Sequence, residues 1–445
     1  MHELTQLIKN DRKPALGVTE PGAIAFAAAT AREHMKGNVE HVVLRLNSGM
    51  FKNAFTCGIP GSDRVGNDYA AALGVVAADP EKGLECLEGI TREEEEKARK
   101  MVESGRISVE MSGISSRIFI EVKVTGACTD GRENEREEAV VVIRDSHMNV
   151  VEITENGKVV YSKRSEDAGT GEDRGEMEHQ SGLNSQDDCL IHRYTLKQLY
   201  EYAATVPAEE IAFIADAFDM NYQLFEEGIN SPKTTYGPYL LKKNGGNVIS
   251  DDEQRTASLL CNGAIEARVI GLSRPAMSIT GSGAHGIIAT MPLYAASQVK
   301  GYSGEALLRA TALSYLVCMY IKEYSGKLSA FCGCAIAAGT GMACGLVFLR
   351  GGSLEAMERT INNMASSITG MICDGGNQGC TMKGIVAVDA AYESAELAMH
   401  GVYITSIHGI NGATPEETMR NMGRIASPGM VGTVKTIVEI LEEKQ

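Results

Sequence analysis

The pattern of apolar residues changes abruptly near residue 190, and this change constrains the fold more than any other feature. Before it, runs such as Val39–Leu46 and Arg117–Val124 alternate apolar with polar residues and are rich in β-branched types, which is typical of strands. After Tyr194 almost every segment has helical spacing, with Ala and Gly at many apolar positions. The sequence therefore predicts an α+β protein: an N-terminal α/β domain with a mostly antiparallel sheet, followed by an all-α helical domain.

An acidic, glycine-rich segment with almost no apolar residues, Ser165–Asp188, separates the two halves and is predicted to be a linker or exposed loop. We place the domain boundary beside it, which gives an α/β domain at 1–190 and a helical domain at 191–445. The first two helices of the chain are expected to be able to pack on the helical domain. The segment Asn47–Asn53, which follows a predicted strand, is expected to be a loop.

Charge and composition exclude several classes of protein. The formal net charge is −16 and no basic stripe interrupts it, which argues against a nucleic-acid or anionic-membrane partner. We find no secretory signal and no apolar run of about 18 residues, so no membrane span is expected. Eleven cysteines without such a signal indicate thiols or ligands in a reducing cytoplasm. The small-residue helices would allow a homodimer.

Five of the cysteines fall between Ser329 and Lys383, most of them in or beside loops. They are Cys332, Cys334, Cys344, Cys373 and Cys380. A helical pattern separates the first two from the last two, so we expect two loops to meet at one end of a helical hairpin. Gathered thiolates suit zinc or an iron–sulfur cluster. The alternative is that they fill a tight helical core, because none forms the CxxC pair of metal ribbons.

A glycine-rich stretch, Ser278–Gly286, leads into a predicted helix and offers free backbone N–H groups at its start. Such a loop can cradle an anion. The alternative interpretation is a tight turn between buried helices. His285, which closes the stretch, can be a base or ligand, but a single histidine is more often a hydrogen-bonded structural residue.

Short motifs follow one another along nearly the whole chain. They include Gly17-Val18-Thr19-Glu20-Pro21, Ser48-Gly49 with Lys52-Asn53, Gly58-Ile59-Pro60-Gly61, Gly281-Ser282-Gly283, Leu328–Cys334, and Met371–Gly375 ending in Cys380. In order and spacing these motifs resemble those of the L-cysteine desulfidases and the serine-dehydratase-alpha-like proteins grouped with them.

The resemblance implies an oxygen-sensitive four-iron four-sulfur cluster, held by three cysteines and removable by aerobic preparation. Its ligands map to Cys332, Cys373 and Cys380, with Cys334 as the alternative to Cys332. The implied activity is that of a lyase in amino-acid catabolism, which eliminates the β-substituent of a small L-amino acid. Cysteine would give pyruvate, ammonia and sulfide by carbon–sulfur cleavage, and serine would give water by carbon–oxygen cleavage.

The same motifs supply polar candidates for the site. The candidate bases are Lys52 and His285. The candidate substrate contacts are Thr19, Glu20, Ser48, Asn53, Ser282 and Gly283. Lys52 can balance a carboxylate or, if desolvated, accept a proton. For each residue the alternative is an ordinary cap or turn contact.

Two positions depart from the family pattern. The first motif of the family usually reads Gly-Cys-Thr-Glu-Pro, with the cysteine as its proposed base, but here that position is Val18, which cannot accept a proton. Ala284 stands where relatives commonly carry an amide. These departures leave three hypotheses open: a lyase with another base or substrate, a non-catalytic amino-acid-binding relative, or a zinc-stabilised helical protein.

Overall fold

The structure, a computed structural model, describes residues 1–128, 136–163, 189–326 and 328–444. The predicted linker Ser165–Asp188 lies outside them. The N-terminal elements, in chain order, are α1 (Glu3–Asp11), β1 (Lys13–Leu16), α2 (Thr19–Glu33), β2 (Asn38–Asn47), α3 (Ser48–Ala54), α4 (Asn67–Val76), α5 (Arg92–Glu103), β3 (Ile107–Gly113), β4 (Phe119–Ala127), β5 (Arg136–Arg144), β6 (Val150–Glu155) and β7 (Lys158–Ser162).

Six of these strands form one sheet in the order β3-β2-β4-β5-β6-β7. Only the β2–β3 pair is parallel, since a crossover through helices joins these strands, and the other pairs are antiparallel. Along β4 the residues alternate between fully and partly buried, which leaves Ile120, Val122 and Val124 against the core. Helix α2 packs on this sheet. The predicted mostly antiparallel sheet is confirmed.

The C-terminal elements are almost entirely helical, as predicted. They are α6 (Leu196–Thr205), α7 (Ala208–Ile211), α8 (Ala215–Asn230), α9 (Tyr236–Lys243), α10 (Glu253–Val269), β8 (Pro275–Ser278), α11 (Gly283–Lys300), α12 (Gly304–Ser325), α13 (Gly339–Leu349), α14 (Leu354–Ile368), α15 (Gly379–Met399), α16 (Pro415–Arg424) and α17 (Val431–Glu442). A π-helical turn, Cys334–Ala338, leads into α13. None of the described helices is both long and apolar enough to cross a membrane.

Small residues set the spacing of the helical core, in which α10 packs on α11, and α11, α12 and α13 pack on one another. Gly341 of α13 lies so close to α12 that a Cβ on it would stand 2.2 Å from Ser314 O. Such contacts permit interaxial distances that larger residues would prevent. The frequent Ala and Gly on the helices therefore reflect close packing.

Two local predictions were wrong. The expected loop at Asn47–Asn53 is mostly helix α3, and its Gly49 packs closely against Leu328. The short strand β8, in the otherwise helical part, pairs antiparallel with β1, and Lys13 is opposite Ser278. A four-residue strand carries little periodicity, so its pairing depends on a partner far away in the sequence.

The two parts of the described chain are in contact through β1 and β8, through α1 and α12, and through α3 and α17. The first helix packs on the helical part, and the second packs on the sheet and on α4. The placement of the domain boundary near residue 190 remains a prediction.

Replacing Gly341 with alanine is expected to lower the free energy of unfolding by about 1–3 kcal/mol, because the added methyl group overlaps a backbone oxygen that cannot move alone. Urea unfolding followed by circular dichroism measures the change. The matched control is Gly304→Ala at the start of α12, where nothing lies within 4 Å of an added Cβ. Equal stability of the two variants would contradict the packing described above.

Candidate active site

The two cysteine-bearing loops are joined by backbone pairing. Phe331 and Ile372 form an antiparallel bridge, Cys332 N donates to Met371 O at 3.0 Å, and Cys373 N donates to Ala330 O. These bonds fix the position of Cys332 relative to Cys373. The structure therefore brings together two loops that α13 and α14 separate in the sequence.

The thiols of these loops are close enough to affect one another's ionisation. Burial, followed by the neighbouring Cys373 and Cys332, raises the pKa of Cys380 to about 11. The pKa of Cys332 is raised first by a hydrogen bond with Cys334 and then by burial. We call Cys332, Cys334, Cys373 and Cys380 the thiol cluster. Among the described residues, no three His, Cys, Asp or Glu side chains are arranged to hold a single metal ion.

A buried lysine from the N-terminal part contacts the thiol cluster. Lys52 is 1% exposed, and its Nζ donates to Cys373 Sγ at 3.3 Å, to Cys373 O at 2.9 Å and to Asn53 Oδ1 at 2.9 Å. An ammonium group has three donors, and all three are used here. This arrangement suits a fixed positive charge beside the sulfur. The role of Lys52 as a base stays a prediction.

Two further lysines bring positive charge to the same thiols. Lys322 of α12 is buried, and burial lowers its pKa while the neighbouring Cys373 and Cys334 oppose that effect. Burial also opposes the charge of Lys383, but its hydrogen bond with Asp374 and the nearby Cys380 raise its pKa overall. Lysine side chains from three helices, α3, α12 and α15, therefore lie around the thiol cluster.

His285 also reaches this region. Burial, followed by the charges of Lys322 and Arg268, lowers the pKa of His285 to about 3, so its imidazole is neutral at pH 7. Its Nδ1 lies 2.5 Å from Thr280 Oγ1, and that hydroxyl donates to Ile279 O at 2.8 Å. Nδ1 therefore carries the proton, and the lone pair is on Nε2.

The lone pair of His285 is directed toward the turn between the first two cysteines of the cluster. A Cβ on Gly333 would lie 2.7 Å from His285 Nε2 and 3.3 Å from Lys322 Cε. Only glycine therefore leaves room for both side chains beside this turn. The imidazole is consequently placed at the edge of the thiol cluster.

Val18, the residue at the family's base position, lies against the second cysteine loop. It is 4% exposed, and a Cβ on Gly376 would stand 2.9 Å from its Cγ1. Asn53 reaches the same loop, since its backbone oxygen accepts from Gly376 N at 3.0 Å. The Asn53 side chain donates to Glu20 Oε1 at 2.8 Å, which connects the buried Glu20 to the site.

Other predicted contacts are directed elsewhere. The hydroxyl of Ser48 accepts from Ser115 N at 3.0 Å, so it serves the β3–β4 loop. Thr19 lines a cavity of about 280 Å³ together with Lys82, and no cysteine is among the described residues that line it. Ser282 and Gly283 begin α11 beside Arg268. Their roles as substrate contacts remain predictions.

The pattern analysis missed three charged residues of this region: Lys322, Lys383 and Arg268. A signal for one of them existed, since Lys322 follows the run Leu316–Ile321, which has no charged residue, on a helix and is less than a tenth exposed. A charged residue on the buried side of a helix requires a partner or a function.

Comparison with known proteins identifies the class. The family model described as serine dehydratase alpha chain matches residues 81–439, and the chain therefore belongs to the serine dehydratase alpha chain family. The resemblance predicted from the motifs is confirmed.

Individual relatives match along almost their full length. The UPF0597 protein of Clostridium botulinum (strain Okra / Type B1) is 40% identical over 440 residues, which cover 99% of this chain and 98% of that protein. The UPF0597 proteins of Caldanaerobacter subterraneus subsp. tengcongensis and Clostridium tetani are 34% and 32% identical, each over 99% of this chain and 98% of the relative.

The neutral state of His285 predicts a pH dependence of stability. Its folded pKa of about 3 lies below the ordinary 6.5, so the unfolded chain binds a proton that the folded protein does not. The contribution of neutral His285 to the free energy of unfolding is fully present above pH 6.5 and is lost as the pH falls toward 3. Lowering the pH from about 7.5 to about 5 should therefore reduce the free energy of unfolding by about 2 kcal/mol through this residue.

Urea unfolding at these two pH values tests this prediction on the wild type and on His285→Asn. Between these pH values, the free energy of unfolding of His285→Asn should fall by about 2 kcal/mol less than that of the wild type. His41→Asn is the matched control, because His41 is exposed on β2. The prediction fails when His285→Asn has the same pH dependence as the wild type.

Proposed function

We propose that this protein is an iron–sulfur-dependent lyase that removes the β-substituent of a small L-amino acid, with L-cysteine as substrate. The observation that carries the proposal is the thiol cluster with three lysines around it. Cys332, Cys373 and Cys380 would hold the iron–sulfur cluster, with Cys334 as the alternative to Cys332. When bound, the iron–sulfur cluster would supply an open iron, a Lewis acid toward the leaving group.

The charges around the thiols support a ligand role over simple core filling. Thiolate ligands are anions, and burying several together is costly unless cations compensate them. Lys52, Lys322 and Lys383 provide that compensation. Cys344 gives the contrast, since its pKa is raised by burial alone, with no charged neighbour. It behaves as a core residue, whereas in the thiol cluster the charge of Lys383 opposes the effect of burial on the pKa of Cys332 and of Cys380.

The chain's own residues supply the proton chemistry of the proposed elimination. His285 Nε2 takes the proton from Cα, the Cα–H electrons form the Cα=Cβ bond, and the Cβ–S bond breaks to release sulfide. The resulting aminoacrylate hydrolyses to pyruvate and ammonia. Lys52 positions Cys373 and balances its charge. Val18 offers no proton acceptor at its position, which leaves His285 as the neutral base with a free lone pair.

Two alternatives are each favoured by one observation. The matching family model is described as serine dehydratase alpha chain, which favours a dehydratase acting on serine. Val18, an apolar side chain against the second cysteine loop, favours a non-catalytic relative that binds an amino acid. Activity across cysteine and serine, measured as pyruvate, separates these alternatives.

The presence of an iron–sulfur cluster is tested by anaerobic purification followed by measurement of iron and acid-labile sulfide. Alanine at Cys373 or Cys380 should abolish bound iron and sulfide, and comparison of Cys332→Ala with Cys334→Ala identifies the third ligand. Cys344→Ala is the control and should retain both. Zinc without acid-labile sulfide in the wild type would contradict the proposal and favour a zinc-stabilised protein.

A second prediction concerns position 18, where this chain has valine and the family usually has a cysteine. Val18→Cys adds a thiol beside the second cysteine loop, and a thiolate is a stronger base than an imidazole whose pKa is about 3. It should therefore raise the rate of pyruvate formation from L-cysteine, by up to about 10²- to 10⁴-fold, the usual contribution of a positioned base. Val18→Ala controls for the loss of volume and should show no gain. No gain in Val18→Cys, with the cluster intact, would mean that position 18 does not face the substrate.

A further inference from the structure

A buried arginine beside the site has no counter-ion among the residues that the structure describes. Arg268, near the end of α10, is 6% exposed, and its Nε has no hydrogen-bond partner. In the described parts of the chain, no carboxylate forms an ion pair with its guanidinium. Burying an unpaired charge is strongly unfavourable, so such a group is retained where an anion can join it.

The guanidinium lies on the first turn of helix α11. A Cβ on Gly283 would stand 2.6 Å from Arg268 Nε, so only glycine lets the arginine approach this closely. Ser282, which precedes the helix, makes no side-chain cap bond, so the N–H groups of the first turn lack that partner. A helix start and a guanidinium fork both favour a carboxylate.

This positive region is continuous with the thiol cluster. Arg268 lowers the pKa of His285, which is in the same first turn of α11. On its other side Arg268 is near Cys57, whose pKa is raised by burial and by Glu20 and lowered by Arg268. Glu20 in turn accepts from Asn53, beside Lys52. The end of α10 also reaches the turn before Val18, since Arg268 O is 4.0 Å from a Cβ on Gly17.

We propose that Arg268, together with the first turn of α11, binds the carboxylate of the amino-acid substrate. The proposal rests on the lyase function above and names its ligand class: α-amino acids with a free carboxylate. The carboxylate carbon is bonded directly to Cα. Binding it beside His285 therefore holds the Cα–H bond near the imidazole, and esters, amides and decarboxylated amines are excluded because they lack the anion.

Binding is tested separately from turnover, using L-serine and L-serinamide as probes in thermal-shift titrations and calorimetry of the anaerobic protein. L-serine should raise the melting temperature of the wild type, and L-serinamide should not. Arg268→Met should weaken L-serine binding by about 10- to 100-fold. Arg268→Lys should weaken it less, because lysine keeps the positive charge but cannot donate two parallel hydrogen bonds to a carboxylate. Arg255→Met, at an exposed position of the same helix, should bind like the wild type.

A second readout separates a ligand site from a structural role. Because Arg268 forms no ion pair within the described residues, unliganded Arg268→Met should melt at or above the temperature of the wild type. A much lower melting temperature would overturn the proposal, as would unchanged L-serine affinity or a wild type that L-serinamide stabilises equally. An absence of L-serine binding to the wild type would overturn it too.

The two proposals fail in different ways. Loss of carboxylate binding in Arg268→Met, in a protein that forms no pyruvate from cysteine or serine, would support the subsite and reject the lyase. Pyruvate formation with the same KM in Arg268→Met and the wild type would support the lyase and reject the subsite.

Discussion

The compensation of buried sulfur by buried ammonium groups is the interaction on which the proposed site depends. Lys52 comes from a short helix after the second strand, whereas Lys322 comes from the middle of the helical part. Each is nearly inaccessible to water, and each is adjacent to cysteine sulfur. Neither part of the chain alone could balance the charge of several thiolates. The site therefore requires both parts in contact.

Backbone pairing and glycine make that contact possible. The bridge between Phe331 and Ile372 holds the two cysteine loops in register. Gly333, Gly375 and Gly376 each lie where a side chain would overlap an imidazole, a backbone oxygen or Val18. These glycines bring main chain close to functional side chains. They carry no chemistry themselves, but the geometry of the site requires them.

The site combines retained and altered features of the family. The cysteines are present, and charged groups surround them, yet the position of the usual base holds valine. His285, kept neutral by burial and neighbouring cations, is a candidate proton acceptor of this region. Arg268 lies against the same helical turn, and its Nε has no hydrogen-bond partner among the described residues. These two side chains are the groups on which the proposed chemistry depends.

The sequence by itself determined the division into a sheet-rich and a helical part, because apolar periodicity is a local property that each segment expresses alone. It also identified the cysteine loops. Only the tertiary structure decided that β1 pairs with β8, and that Lys322 and Arg268 lie near His285. These contacts join residues far apart in the chain, and their energy depends on burial, which no local pattern specifies.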